Sequence, residues 1–206
     1  MEQYAQRVRA NILPKSVAQT LPAAFREWHW TGDTEDYGHP TEICELCEQE
    51  SLRYHFQIKN DQTKGVLQVG SQCILRFDVA VYENGRRLSL NEAKTKLNAT
   101  LRGMQHAACV RALRDVLARE PNAILESALA RYEAHDALTP KQINVVFWRL
   151  GVNHIEFNPS FFKVDLSKTK LKVDLMTMRD YERARVWQAM TSSQRSAAIR
   201  FGAPPP

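Results

Sequence analysis

The sequence lacks long apolar segments and the short motifs of the common enzyme classes. It has no run of about 18 apolar residues, the minimum for a membrane-spanning helix, and its first residues, MEQYAQRVRANILP, lack the apolar core of a secretory signal peptide. It contains no G-x-S-x-G, no glycine-rich phosphate loop, no H-E-x-x-H and no G-x-G-x-x-G. The six histidines are scattered along the chain. We therefore expect a cytoplasmic protein that does not enter membranes and is not an enzyme.

Cysteine is also scarce, because the 206 residues contain only four. Cys44 and Cys47 form a C-x2-C pair, which is the spacing of a metal-binding turn, and Cys73 follows the pair Gly70-Ser71. Cysteines in this arrangement, without a signal peptide, indicate a reducing compartment and metal binding rather than disulfides.

The segment between these cysteines alternates like a half-buried β-strand. Its apolar face is predicted to comprise Leu52, Tyr54, Phe56 and Ile58. Its polar face, which we expect to contact water or a partner, comprises Arg53, His55, Gln57 and Lys59. A polar turn over residues 60–65 then leads to a second short strand over residues 66–69, which predicts a β-hairpin.

Such a hairpin returns Cys73 to the C-x2-C turn, so that three thiolates can meet one ion. We expect this ion to be zinc in a structural site. The fourth ligand is left open, because position 76, where a second helical cysteine would stand, is an arginine. The candidates are His39 and His55, with His29 and Cys109 as more distant options. The alternative interpretation is a cluster of reduced, buried cysteines without metal.

The strings C-E-L-C, R-Y-H-F-Q-I-K-N and V-G-S-Q-C-I, in this order, resemble the knuckle of small proteins of bacteriophages, plasmids and other mobile elements. In those proteins a CxxC pair, a strand of alternating apolar residues that ends in Asn, and a VGSxC segment recur. The resemblance covers residues 43–77. It implies a zinc module of the treble-clef type with Cys44, Cys47 and Cys73 as ligands.

The remainder of the chain has helical patterns, so we expect an α+β protein with two domains. Residues 1–88 would form an N-terminal arm with a zinc-knuckle β-hairpin module, and residues 89–206 a basic, mainly helical domain. Capping signals at Thr139 and Thr191 predict two helix starts. The similar strings FFKVDL and KLKVDL are interpreted as two short strands or an extended arm. A helix near residues 178–190 is expected to bury Tyr181 and expose Arg183.

Positive charge is unevenly distributed along the chain. Residues 1–50 carry four basic and nine acidic side chains, whereas the later segments are net basic, which gives a total charge of +5. Basic surfaces attract phosphate backbones irrespective of base sequence. The residues expected to contact phosphates are Arg53, Lys59, Lys64, Arg76, Arg86, Arg87, Lys168 and Lys170.

These patterns favour a nucleic-acid-binding accessory protein of a mobile element, or a subunit of a nucleoprotein complex such as a CRISPR-type effector. The alternative is a protein-binding inhibitor or adaptor, such as an anti-defence factor. In that case the acidic segment over residues 33–50 would imitate nucleic acid toward a basic partner. Alternatively, the protein would use its basic face to bind its partner.

Overall fold

The computed structural model describes residues 2–206 and confirms the predicted α+β class. The helices are α1 (Glu2–Ile12), α2 (Leu21–Ala24), α3 (Ser71–Arg76), α4 (Leu90–Arg119), α5 (Ala123–His135), α6 (Pro140–Val152), α7 (Thr169–Met176), α8 (Asp180–Ala189) and α9 (Ser192–Arg200). The strands are β1 (Trp28–Asp36), β2 (Tyr54–Asn60), β3 (Val66–Val69), β4 (Tyr82–Glu83) and β5 (Arg86–Arg87).

The chain divides into two compact units, of which the N-terminal unit ends at Leu101 and the C-terminal unit begins at Arg102. The division falls inside helix α4, whereas the domain hypothesis placed a boundary between residues 88 and 89. Early in α4, Leu97 belongs to the core of the N-terminal unit. Later in the same helix, Leu113 belongs to the core of the C-terminal unit. Helical periodicity alone does not reveal such a change of core.

A three-stranded antiparallel sheet with the order β1-β2-β3 forms the frame of the N-terminal unit. Trp30 pairs with Ile58, and Ile58 in turn pairs with Leu67, so bulky side chains line up across the sheet. All three are buried. Burial of apolar area stabilises the sheet by roughly 25 cal/mol per Å². The predicted hairpin is thus confirmed, with its first strand beginning at Tyr54.

One residue of the predicted polar face, His55, is in fact buried and only 4% exposed. Its Nε2 atom lies 3.1 Å from the carbonyl oxygen of Ile43. Its ring packs edge-on against Tyr37, with 5.2 Å between the ring centroids. The segment that leads to Cys44 therefore covers this part of β2, and strand alternation cannot indicate a cover that comes from elsewhere in the chain.

The C-terminal unit is a cluster of helices packed on aromatic side chains. Tyr132 and Phe162 are each 1% exposed, and their ring centroids are 5.5 Å apart. The predicted capping boxes at Thr139 and Thr191 are both present, at the starts of α6 and α9. Each satisfies backbone amides that a helix start otherwise leaves unpaired.

Two expectations for this unit are wrong. The string KLKVDL lies in helix α7 rather than in a strand, because Leu171 and Leu175 bury one helical face. In α8, Arg183 is 5% exposed and donates a hydrogen bond of 3.1 Å to the carbonyl oxygen of Met178, whereas Tyr181 is 51% exposed. The helix is therefore rotated relative to the predicted buried stripe, and the buried cation is balanced by Asp180.

Helix α4 has the length of a membrane span, but neither it nor another helix within residues 2–206 combines such a length with sufficient apolar character.

Candidate metal centre

Three buried sulfur atoms meet in the N-terminal unit. The Sγ atom of Cys73 lies 3.7 Å from that of Cys44 and 3.3 Å from that of Cys47. Zinc–sulfur bonds of about 2.3 Å in a tetrahedral arrangement place neighbouring sulfurs about 3.8 Å apart. The separation of 3.7 Å matches this value and the separation of 3.3 Å is somewhat shorter, whereas both are far longer than a disulfide bond of about 2.05 Å. The three cysteines could therefore hold one metal ion.

A tight turn presents the first two sulfurs. The amide of Glu48 donates to the carbonyl oxygen of Cys44 at 2.8 Å, and the amide of Cys44 donates to that of Gln49 at 2.9 Å. Glu48 has a positive φ of 60°, which the sharp reversal after the second cysteine requires. The amide of Glu45 donates to the carbonyl oxygen of Gln68 at 3.0 Å, which fastens the turn to β3.

The third sulfur comes from the first turn of helix α3. Gly70 precedes this helix, and the amide of Cys73 donates to the carbonyl oxygen of Gly70 at 2.9 Å. A Cβ atom on Gly70 would lie 3.3 Å from the side chain of Leu52, so glycine allows close packing of the helix start on the segment before β2. Along the chain, the turn with the first two cysteines is followed by the hairpin and then by the helix with the third.

The surroundings favour a negative charge on one of these sulfurs. A hydrogen bond from the Cys73 thiol lowers the pKa of Cys44 to about 5, with help from the backbone amides of Cys47, Gly70 and Leu46 and against the opposing effect of burial. The same contact with Cys44, together with burial, raises the pKa of Cys73. A thiolate is the form of cysteine that binds metals. A metal cation that binds the Cys44 thiolate would also be coordinated by the sulfurs of Cys47 and Cys73.

The structure does not bring either proposed histidine to the three sulfurs. The group of candidate ligand atoms that lie within 4.8 Å of one another contains only the three cysteines, within residues 2–206. His39 lies in the exposed segment before the knuckle. His55 is directed at the Ile43 carbonyl oxygen instead. The more distant options His29 and Cys109 are also outside the group, and His29 lies 3.2 Å from Asp61.

A pocket with a volume of about 590 Å³ adjoins the cluster. All three cysteines line it, together with polar side chains that include Ser71, Gln72 and Arg76. The guanidinium of Arg76 lies over the ring of Tyr4, 4.7 Å from its centroid. The sulfurs are buried from bulk solvent but form part of the wall of an accessible cavity.

Several basic residues predicted to contact phosphates instead form ion pairs within the N-terminal unit. Arg53 forms a bidentate ion pair with Asp36, in which its Nε and Nη2 atoms donate hydrogen bonds of 2.6 and 2.8 Å to the two carboxylate oxygens. Arg86 binds Glu92 at 2.8 Å, and Arg87 binds Asp78 at 3.0 Å. Lys64 donates to the backbone carbonyl oxygen of Asp61 at 2.6 Å, and Lys59 is half-buried in β2. At these three arginines a carboxylate already offsets part of the charge that would attract a phosphate.

The C-terminal unit contains a larger cationic groove, which we define by the lining residues Arg131, His135, Phe161, Lys163, Asp165 and Lys168. Its volume is about 1020 Å³. Lys168 is exposed at the start of helix α7, and Lys170 is exposed in the first turn of that helix. Lys163 is paired with Asp136, and Arg131 binds Asp165 at 2.6 Å.

Sequence reasoning did not identify Arg131 and His135 as members of this groove. They are four positions apart on α5 and therefore share a helical face. That spacing is visible in the sequence, but the proximity of Arg131 and His135 to Lys168 depends on tertiary packing.

Neither the known family models, the curated proteins nor the solved structures include a match to this chain.

Proposed function

We propose that this protein binds nucleic acid without catalysing a reaction, as an accessory protein of a mobile element or a subunit of a nucleoprotein complex. A zinc ion held by Cys44, Cys47 and Cys73 would stabilise its N-terminal unit. The observation that carries the binding proposal is the cationic groove of the C-terminal unit. The zinc proposal is supported by the three buried sulfurs, which all lie within 4.8 Å of one another.

Zinc suits this donor set better than the other common ions. Thiolate ligands select zinc and other soft metals, whereas magnesium and calcium prefer oxygen. Burial of three sulfurs in close contact is unfavourable when more than one is ionised, and a divalent cation removes that repulsion. Because the ligands come from a turn before β2 and from a helix after β3, one ion would join both ends of the hairpin.

The groove has the chemistry of a surface for single-stranded nucleic acid. Arg131, Lys163 and Lys168 carry positive charge. Arg131 is paired with Asp165 and Lys163 with Asp136, so the net positive charge of the groove comes from Lys168. The half-buried ring of Phe161 also lines the groove. Proteins that bind single strands commonly combine a basic groove with aromatic rings on which bases stack. Since Lys168 lines the groove and the exposed Lys170 follows two positions later in the first turn of α7, the strand is expected to follow the start of α7.

Binding can be tested by fluorescence anisotropy with labelled single-stranded DNA, single-stranded RNA and duplex DNA at several salt concentrations. We expect affinity at low salt that falls as salt rises, because bound phosphates release counterions. Lys168→Gln should weaken binding and reduce the magnitude of the salt slope by about 1. Lys141→Gln is the matched control, because Lys141 is also exposed near a helix start but lies outside the groove and contacts Asp174.

Absence of binding to all three probes at low salt would refute this function. Equal losses for the two lysine variants would show that net charge, rather than the groove, determines binding.

The alternative function, a protein-binding inhibitor or adaptor, is favoured by one observation. The acidic side chains of the segment before β2 that are exposed are Asp33, Glu35, Glu45, Glu48 and Glu50. Negative charge is therefore exposed along this segment of the N-terminal unit. Failure to bind oligonucleotides, together with salt-sensitive binding to a basic protein that is lost on changing these carboxylates to amides, would support this alternative.

A further inference from the structure

The three cysteines account for three of the four ligands of a tetrahedral zinc ion. On the basis of the zinc site proposed above, we infer that the fourth ligand enters from solution through the adjoining pocket, and that this position accepts a small thiol as its thiolate. The knuckle would then be a ligand-binding site as well as a structural one.

Among residues 2–206, no histidine or carboxylate lies close enough to the three sulfurs to be the fourth donor. The cluster of candidate ligand atoms contains three sulfurs and no histidine or carboxylate. His55 contacts the Ile43 carbonyl oxygen through Nε2 at 3.1 Å, and its other ring nitrogen, Nδ1, is buried without a hydrogen-bond partner but does not lie within 4.8 Å of all three sulfurs. Arg76 stands where a C-x2-C pair on helix α3 would place a second helical cysteine, and a guanidinium has no acceptor atom for a metal.

The pocket gives a solution ligand access to the sulfurs. Cys44, Cys47 and Cys73 all line it, although each is at most 5% exposed. Its volume of about 590 Å³ is within the range of about 300–1,000 Å³ that is typical of small-molecule sites. An ion held by these three sulfurs would therefore border a cavity rather than a closed core.

The chemistry of the pocket favours a thiolate over other small ligands. Three thiolates form a soft ligand set, and a fourth soft donor completes the commonest structural zinc sphere. The resulting site carries two negative charges. Arg76 lines the same pocket, so its cation offsets part of that charge. On binding, the thiol would release its proton to solvent and displace a water molecule, with no change of oxidation state.

Zinc K-edge X-ray absorption on the full chain provides the test. The protein would be purified with a phosphine reductant in place of thiols and measured before and after saturation with 2-mercaptoethanol. We expect three sulfur neighbours at about 2.3 Å and one oxygen neighbour at about 2.0–2.1 Å before addition. After addition we expect four sulfur neighbours and no oxygen.

The role of Arg76 can be measured in the same system by titrating the zinc protein with 2-mercaptoethanol. Arg76→Gln should weaken thiol binding about two- to fivefold, the range of an exposed charge interaction. Arg87→Gln is the matched control, because Arg87 lies in the same unit but outside the pocket and contacts Asp78. Its affinity for the thiol should equal that of the unaltered protein.

The outcomes separate this inference from the proposed function. A protein that contains zinc with imidazole scattering in its spectrum has a histidine as fourth ligand, which overturns the inference and leaves the structural zinc intact. A zinc spectrum that does not change with thiol also overturns it. A protein that binds no zinc refutes both this inference and the proposed zinc site, whereas binding of nucleic acid is decided by the anisotropy experiment.

Discussion

Removal of the metal should destabilise the N-terminal unit and leave the C-terminal unit unchanged. All three candidate ligands lie in the N-terminal unit. The C-terminal unit has its own apolar core, which includes Tyr132, Phe147 and Phe162, and residues 102–206 contribute no ligand to the cluster. Chelation should therefore affect the N-terminal unit, and the C-terminal unit serves as an internal reference in the same experiment.

The magnitude follows from linkage between binding and folding. If free zinc exceeds its dissociation constant about 1,000-fold, the bound ion adds about 4 kcal/mol to the free energy of unfolding. That is a large share of the 5–15 kcal/mol typical of a whole domain. For a unit of this size, each kcal/mol corresponds to a melting shift of roughly 4–8 °C, so chelation should lower its melting temperature by roughly 15–30 °C.

Amide hydrogen exchange measured by mass spectrometry, with and without a strong chelator, separates the two units. Peptides from β2 and β3 should exchange about 1,000-fold faster once the ion is removed, which is the rate equivalent of about 4 kcal/mol. Peptides from α5 and α6 should be unaffected. Cys73→Ser should reproduce the effect without chelator. Cys109→Ser, which removes a buried thiol from the C-terminal core, should leave the chelator response of β2 intact. Unchanged protection of β2 and β3 in chelator would refute the reasoning.

Three further predictions concern side chains away from the sulfurs. Glu27→Gln should lower the free energy of unfolding by about 1–3 kcal/mol in urea titrations, because the buried carboxylate accepts hydrogen bonds from Asn60 and two backbone amides. Burial alone would raise the pKa of Glu27, but these bonds lower it overall. The stabilisation is therefore present above the ordinary glutamate pKa and is lost as pH falls through the folded value. If the free energy of unfolding of Glu27→Gln fell with decreasing pH as much as that of the unaltered protein, this account of Glu27 would be contradicted. Thr139→Ala should cost about 1 kcal/mol through loss of the α6 cap, and a neutral result would show that packing alone fixes this helix start. Phe162→Ala should cost about 3–5 kcal/mol and reduce the near-ultraviolet circular dichroism signal, and an unchanged signal would exclude the aromatic core described for this unit.

Local signals in the sequence account for much of the fold. The C-x2-C turn, the alternation of β2 and the capping boxes each depend on residues within a few positions of one another. The Asn84-Gly85 pair likewise forms the turn between β4 and β5, with both residues at positive φ. These features were predictable because short-range backbone geometry decides them.

The features that the sequence did not reveal depend on contacts between distant segments. His55 is buried because the segment before Cys44 covers it. Arg53 is engaged because Asp36, on the neighbouring strand, reaches its guanidinium. A count of basic residues cannot show such pairing, which involves three of the six residues predicted to contact phosphates in the N-terminal unit, namely Arg53, Arg86 and Arg87. The groove in the C-terminal unit arises from residues on α5 and before α7 that only the tertiary structure brings together.

The metal content of the purified chain, determined by native mass spectrometry together with elemental analysis, tests the central claim most directly. The account predicts one zinc ion per chain, lost when Cys44, Cys47 or Cys73 is replaced by serine and retained when Cys109 is replaced. A chain that is folded and contains no metal, with all three knuckle thiols free, would contradict it.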